Sequence, residues 1–433
     1  MEDIVKAYRE RVQALNAQID QGIETHRKAD GMIRVLDRDG NPVAGAEVTV
    51  HQNSHDFSFG CNGLCIGQMG AFNEEYERKF VALFNTVTTT SCWSVTETKE
   101  GFFRFSEADG DLPRRPPLDR IVAFAKKHGL IMKGQPLMAD SWWPQWTSRD
   151  PQKMMEQWKR FIEAVAERYN DSVDVWDVVN ESMLCERRNP DFPLWTKDLD
   201  YVDACFAMAL RVFPQKHGVF ELNEATMVND TPVDTDTYFN LAKRLLDSNL
   251  PLERIGFQFH MFDGESGIKH LKDEMLPLET IMETYHRFGK LGVPLSISEI
   301  TVPSRLPGFT KEEGEALQAE MVHDLYRLWF SMLEIHSIIY WNFMDGEHWK
   351  KEGDCRGCLL DVNGCEKPSY QVLYQLIERE WKTRMSLVTN EVGEIHFRGF
   401  KGGYDVTIKS KEGRRRLNYG LHGVDSDALT VTL

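Results

Sequence analysis

One pattern constrains this chain more than any other: between about residue 55 and residue 384, short apolar runs alternate with longer amphipathic segments. The runs are Phe57 to Cys61, Phe84 to Thr88, Ile131 to Met138, Val173 to Asn180, Gly218 to Asn223, Ile255 to His260, Pro294 to Ile300 and Ile338 to Phe343. Runs this short and this continuously apolar read as strands buried on both faces. A helix-like segment follows each of the first seven, as in PQKMMEQWKRFIEAVAERYN. Strand–helix units repeated over about 330 residues predict a closed (β/α)8 barrel with enlarged loops. The competing doubly wound sheet carries a G-x-G-x-x-G turn after its first strand, and Gly60-Cys-Asn-Gly63-Leu-Cys-Ile-Gly67 has the wrong spacing for it.

The two ends of the chain read differently. Ile4, Val5, Tyr8, Val12, Leu15 and Ile19 recur at helical spacing, which predicts an amphipathic helix over residues 1–30. Residues 31–56 then form two alternating runs around Asp39-Gly40-Asn41-Pro42, a strand–turn–strand pattern. Residues 385–433 return to that style, with EIHFRGF and YDVTIKS separated by glycine. Neither end has enough strands for a core of its own, so the two are expected to pair into one small β-sandwich appended to the barrel at residues 57–384. Its aromatics, Phe397, Phe400 and Tyr404, are too few for a carbohydrate-stacking platform, which favours a structural role.

With a net charge of −16, the chain lacks the clustered cations that nucleic acid demands. No apolar run is long enough to span a bilayer, and MEDIVKAYRE is no export leader. The expectation is a cytoplasmic protein as the sequence stands, or a secreted one if a leader has been removed. Eight cysteines are best read as reduced thiols; alternatively Cys61, Cys65, Cys355 and Cys358 form ligand pairs for zinc.

Barrel enzymes carry their chemistry where strands end. Two such ends stand out: VDVWDVV closes on Asn180-Glu181, and PLSIS closes on Glu299. About three strand–helix units separate the glutamates, which sets them across the barrel mouth. Hydrolysis of a glycosidic bond needs such a pair, one carboxylic acid to protonate the departing oxygen and one carboxylate to attack the anomeric carbon.

Trp176-Asp-Val-Val-Asn180-Glu181 resembles the acid/base motif of glycoside hydrolase family 10, the endo-β-1,4-xylanase family, and Ile297-Ser298-Glu299 resembles its nucleophile strand. FNTVT at 84–88, Lys133-Gly134, Gly256-Phe-Gln258-Phe-His260 and Trp341-Asn-Phe-Met-Asp345 fall in the family's order. The resemblance implies Glu181 as general acid/base and Glu299 as nucleophile of a retaining double displacement, with no organic cofactor or catalytic metal. It further implies that Asn180 bonds the sugar 2-hydroxyl, that His260 holds Glu299, that Gln258 lies beside Glu181, and that Trp341 floors the site. Lys133 and Asn223 belong to the same implied sugar-binding set.

The recognition segments depart from the family. Thr88 leads into Thr89-Thr90-Ser91-Cys92-Trp93 where members carry Pro-Glu-Asn. Lys133-Gly134-Gln135-Pro136-Leu137-Met138-Ala139-Asp140 replaces Lys-Gly-His-Thr-Leu-Val-Trp-His, and Asn223-Glu224-Ala225-Thr226 replaces Asn-Asp-Tyr-Asn. Gln135 and Asp140 are left to bond sugar hydroxyls. Trp93, the loop indoles Trp142, Trp143 and Trp146, and Trp349 are expected near the mouth, stacking on a pyranose or a flat aglycone. The expected substrate is therefore a β-linked oligosaccharide or glycoside. Exo-acting or aryl-glycoside cleavage competes with endo-xylanase action, and a catalytically silent carbohydrate-binding homologue is the alternative.

Overall fold

A computed structural model describes residues 2–213, 217–225, 234–262, 278–346, 350–423 and 428–433. Eight parallel strands close on themselves: Ser58–Asn62, Thr86–Thr90, Ile131–Gln135, Val175–Asn180, Val219–Glu224, Arg254–His260, Leu295–Thr301 and Ile335–Tyr340, the last pairing back onto the first. They are called the first to eighth barrel strands below. Helices run outside the ring between them, including Leu118–His128, Pro151–Tyr169, Asp200–Val212, Thr235–Asp247, Leu278–Gly289 and Lys311–Ser331. Strand residues are buried almost without exception, because one face meets the barrel interior and the other the helix layer.

Most strand edges fall within two residues of the sequence reading, and two differ in ways that matter. The third strand stops at Gln135, and Met138–Ala139 forms a separate two-residue strand beside the fourth. Pro136 lacks the N–H needed to continue the ladder. The eighth strand begins at Ile335 and ends at Tyr340, so Trp341 to Phe343 belong to the loop above the barrel rather than to its wall.

Gly134 fixes the spacing of the third and fourth strands. A Cβ there would sit 2.4 Å from the Trp176 indole, which also meets Phe213 at 5.7 Å between ring centroids. The glycine thus admits the indole against the strand bearing Gln135.

The N-terminal helix, Glu2–Arg27, lays Val5, Tyr8, Val12, Leu15, Ile19 and Ile23 against the barrel. Tyr8 donates to Asp324 at 3.0 Å, and Arg327 donates to Asn16 at 2.8 Å. The first sandwich strand, Lys28–Leu36, starts directly after the helix, inside the stretch read as helical. It lies between Glu394–Phe400, antiparallel, and Ala428–Thr432, parallel. The second sheet runs in the order Arg384–Val388, Glu47–Gln52, Gly402–Lys409, Arg414–Leu421. The two N-terminal runs meet only beside the turn at Gly40, at an antiparallel bridge between Leu36 and Pro42, and their strands Lys28–Leu36 and Glu47–Gln52 belong to different sheets. Ile33, Val48, Val50, Ile395, Val406 and Ile408 fill the space between the sheets. Phe397, Phe400 and Tyr404 are buried, leaving no exposed aromatic platform there among the described residues.

All eight cysteines carry free thiols and all but Cys365 are buried. Cys61, Cys65 and Cys358 lie around Tyr76, but among the described residues no three His, Cys, Asp or Glu side chains converge to hold a metal. No described helix is long and apolar enough to cross a membrane.

Candidate active site

The strand ends open into a cavity of about 530 Å³ lined by Asn62, Thr88, Gln135, Asn180, Glu181, His260, Glu299 and Trp341, together with loop residues. Glu181 follows the last residue of the fourth strand in a left-handed conformation, φ 57°, rare outside glycine. Its N–H donates to Asn223 O at 2.8 Å, and a single turn, Ser182–Leu184, follows. Glu224 caps that turn, accepting from Ser182 N at 2.7 Å and from the Ser182 hydroxyl. The strained backbone is thus clamped by the neighbouring strand. Arg188, on the short helix Cys185–Arg188, donates to Glu181 Oε2.

Glu299 sits where the seventh strand's register with the eighth slips between Ile297 and Ile300. The sixth strand slips against the seventh between Phe257 and Gln258. Such bulges re-aim side chains toward a site. Glu299 is 3% exposed and accepts from Asn223 Nδ2 at 2.9 Å, Gln258 Nε2 at 3.1 Å and Gln135 Nε2 on Oε1. His260 Nε2 meets its Oε2 at 3.0 Å, and the Thr301 hydroxyl stands 3.0 Å from Nδ1, an arrangement suited to Nε2–H donating to the carboxylate. Asn180 Oδ1 accepts from Asn223 at 2.9 Å and Gln258 at 3.2 Å, so the donor end of its amide is what it can offer a ligand.

Gln258, expected beside Glu181, bridges Asn180, the residue before Glu181, and Glu299. Lys133 is buried outside the cavity lining, paired with Glu221 at 2.6 Å and Asp177 at 3.1 Å. Asn223 is likewise buried, knitting Asp177, Asn180 and Glu299 together. Asp140 is fully buried and off the cavity wall; burial and the nearby Glu181 charge push its pKa up to about 6.

Trp93 turns into the core, donating to Glu97 at 2.7 Å and stacking on Phe161. Trp143 is buried against Phe192, with Arg149 over its ring at 4.4 Å. Its neighbour Trp142 lines the cavity instead, because consecutive residues of the loop face opposite ways. Trp341 lines the cavity and meets His260 edge-on at 5.9 Å. Trp349 lies outside the described residues. The sequence reading missed Arg114, Arg115, Arg188 and Glu352 on the wall.

The glycosyl hydrolase family 10 family model matches residues 53–376. The chain belongs to that family. An endo-1,4-beta-xylanase B of Thermotoga neapolitana is 23% identical over 278 residues, 62% of this chain and 75% of that protein. The anti-sigma-I factor RsgI6 of Acetivibrio thermocellus is 22% identical over 94% of this chain but only 48% of its own length. Among solved structures, xylanase 10B of Thermotoga petrophila in complex with xylobiose shares 19% identity at a TM-score of 0.58, covering 75% of this chain and 95% of that one. Family 10 membership accounts for the barrel and for the matched span, which takes in both Glu181 and Glu299.

The electrostatics of this family 10 site carry a testable consequence. Burial pushes the Glu299 pKa up to about 8, Glu181 adding to the shift while Lys133, Gln135 and Asn223 oppose it. Burial also pushes Glu224 up to about 8. A carboxyl whose folded pKa exceeds its unfolded value, about 4.3 for Glu, favours the fold below that value and loses this as pH rises through the folded pKa. Thermal stability should therefore fall between pH 5 and pH 8, and Glu299→Gln, which cannot ionise, should lose less. Melting curves at the two pH values test this; equal losses in both proteins would refute it.

Proposed function

We propose that the chain is a retaining β-glycosidase in which Glu299 is the nucleophile and Glu181 the general acid/base. The observation that carries the reading is that both carboxylates line one cavity, with Glu299 held by Gln135, Asn223, Gln258 and His260. In the first step Glu299 attacks the anomeric carbon as Glu181 gives its proton to the leaving oxygen, which yields a glycosyl ester and a free alcohol. In the second, Glu181 takes a proton from water, the hydroxide attacks the same carbon, and Glu299 departs. Arg188 must release Glu181 Oε2 for that oxygen to serve in either step. Asn180 offers its amide donor to the 2-hydroxyl, and Trp341 supplies an apolar surface beneath the ring.

The substrate is a short β-glycoside or oligosaccharide rather than a long xylan chain. Trp93 and Trp143 are packed away, Lys133 and Asp140 are buried, and the wall carries Arg114, Arg115, Trp142 and Glu352. A site whose polar groups are placed for particular hydroxyls rejects sugars that leave them unpaired. That a related protein was solved with xylobiose supports a carbohydrate ligand without fixing which.

Aryl β-glycosides and short oligosaccharides followed by anomer-resolved NMR test the reading. The first product is expected in the β configuration; α product, or no turnover of any member, would overturn it. Because the nucleophile must be ionised, kcat/KM should climb with pH well above the ordinary carboxylate range of about 4.

A further inference from the structure

Resting on the glycosidase reading, we propose that the glycone side of the cavity binds a sugar bearing an anionic substituent, a carboxylate or a sulfate, held by Arg114 and Arg115. Both arginines line the cavity, at 7% and 8% exposure. They come from the enlarged loop between the second strand and the helix Leu118–His128, in the stretch Leu112-Pro-Arg-Arg-Pro-Pro117.

Their position follows from the contacts. Arg114 Nη2 donates to Asn342 Oδ1 at 2.9 Å, and Asn62 Nδ2 stands 3.5 Å from the same oxygen. Asn342 follows the eighth strand and Asn62 ends the first, so the arginines sit across the mouth from the fourth strand, which carries Glu181. Glu181 serves the leaving group, and the wall opposite it faces the glycone.

The loop is built to hold the pair. Arg114 is left-handed, φ 56°, and its N–H donates to Gln68 Oε1 at 2.7 Å. Arg115 Nη1 donates to Arg114 O at 2.6 Å, and its guanidinium lies 4.9 Å from the Trp142 ring centroid. A strained non-glycine residue, fixed by a side-chain acceptor, brings two consecutive side chains to one wall.

Arg114 keeps unused hydrogen-bonding capacity on the wall. Glu352 Oε2 stands 3.6 Å from Arg114 Nη1, beyond hydrogen-bond reach, and Arg114 Nε and Nη1 make no hydrogen bond among the described residues. In a chain of net charge −16, two consecutive buried arginines are thus brought to one wall of the cavity. Buried cations are costly unless paired. The planar guanidinium fork suits a carboxylate or sulfate, which it can bind through two parallel bonds.

The test compares 4-nitrophenyl β-xyloside, β-glucoside, β-glucuronide and 6-sulfo-β-glucoside on the full chain, with calorimetric titration of xylose, glucose, glucuronate and 6-sulfoglucose. At least one anionic glycoside is expected to exceed the neutral ones by about tenfold in kcat/KM, through KM, with the advantage shrinking as salt is added. Arg115→Gln should bring the anionic-to-neutral ratio close to one, and Arg115→Lys should keep part of it. The glucuronide and sulfated arms separate the two anions. Neutral sugars cleaved and bound as well as both anionic ones would overturn the proposal. Anionic sugars bound preferentially without turnover would support it while overturning the hydrolase reading.

Discussion

Glu299→Gln is expected to lower kcat/KM on aryl β-glycosides on the order of 10⁴-fold or more, because in the proposed double displacement the substitution removes the atom that forms the covalent bond while leaving the cavity's shape. The amide replaces a carboxylate that accepts from Asn223 at 2.9 Å and Gln258 at 3.1 Å, so binding contacts change little compared with chemistry. The loss should fall on kcat at every pH and be the same for good and poor leaving groups. Steady-state kinetics, paired with circular dichroism to show an intact fold, read this directly. A variant within about a hundredfold of wild type would mean that Glu299 is not the nucleophile.

Glu181→Ala should give a different signature. Proton transfer by a positioned acid contributes roughly 10²–10⁴-fold, and the need for it depends on the leaving group. With an alkyl or sugar aglycone the first step should be slowed by about that factor, whereas a dinitrophenolate leaves without help and the glycosyl ester should accumulate. Azide, which needs no general base to attack, should restore turnover and yield a β-glycosyl azide. The second step then identifies the residue, since a merely structural role for Glu181 would slow all leaving groups alike and show no azide rescue.

The barrel was legible because its strands are buried on both faces, which writes them as continuous apolar runs, and because helices with one apolar face separate them. The two glutamates were legible for a related reason: an acidic residue at or near the end of such a run, Glu181 just past its strand and Glu299 two residues before the end of its own, falls at the barrel mouth. What the sequence concealed depends on direction and depth. Trp142 and Trp143 are neighbours of equal composition, yet only the first lines the cavity, a difference of one residue in a loop without periodicity. Lys133 matches a sugar-binding motif by order, but its ion pairs with Asp177 and Glu221 come from strands far away in sequence. The bulge that brings Gln258 to Glu299 is a local slip of strand register, which the apolar pattern of the runs does not show. Arg114 and Arg115 did leave a trace, two adjacent cations among prolines in an enlarged loop, but nothing in the sequence sets that loop over Asn62 and Asn342.

The covalent role proposed for Glu299 underlies the mechanism, the substrate argument and the roles of the residues around it. Incubating the protein with an activated 2-deoxy-2-fluoro-β-glycoside, which slows release of the glycosyl ester, and mapping the adduct by peptide mass spectrometry tests it most directly. The expected result is one added fluoroglycosyl mass on the peptide containing Ile297-Ser298-Glu299. A hydrolysed probe with no adduct, or an adduct on any other residue, would contradict it.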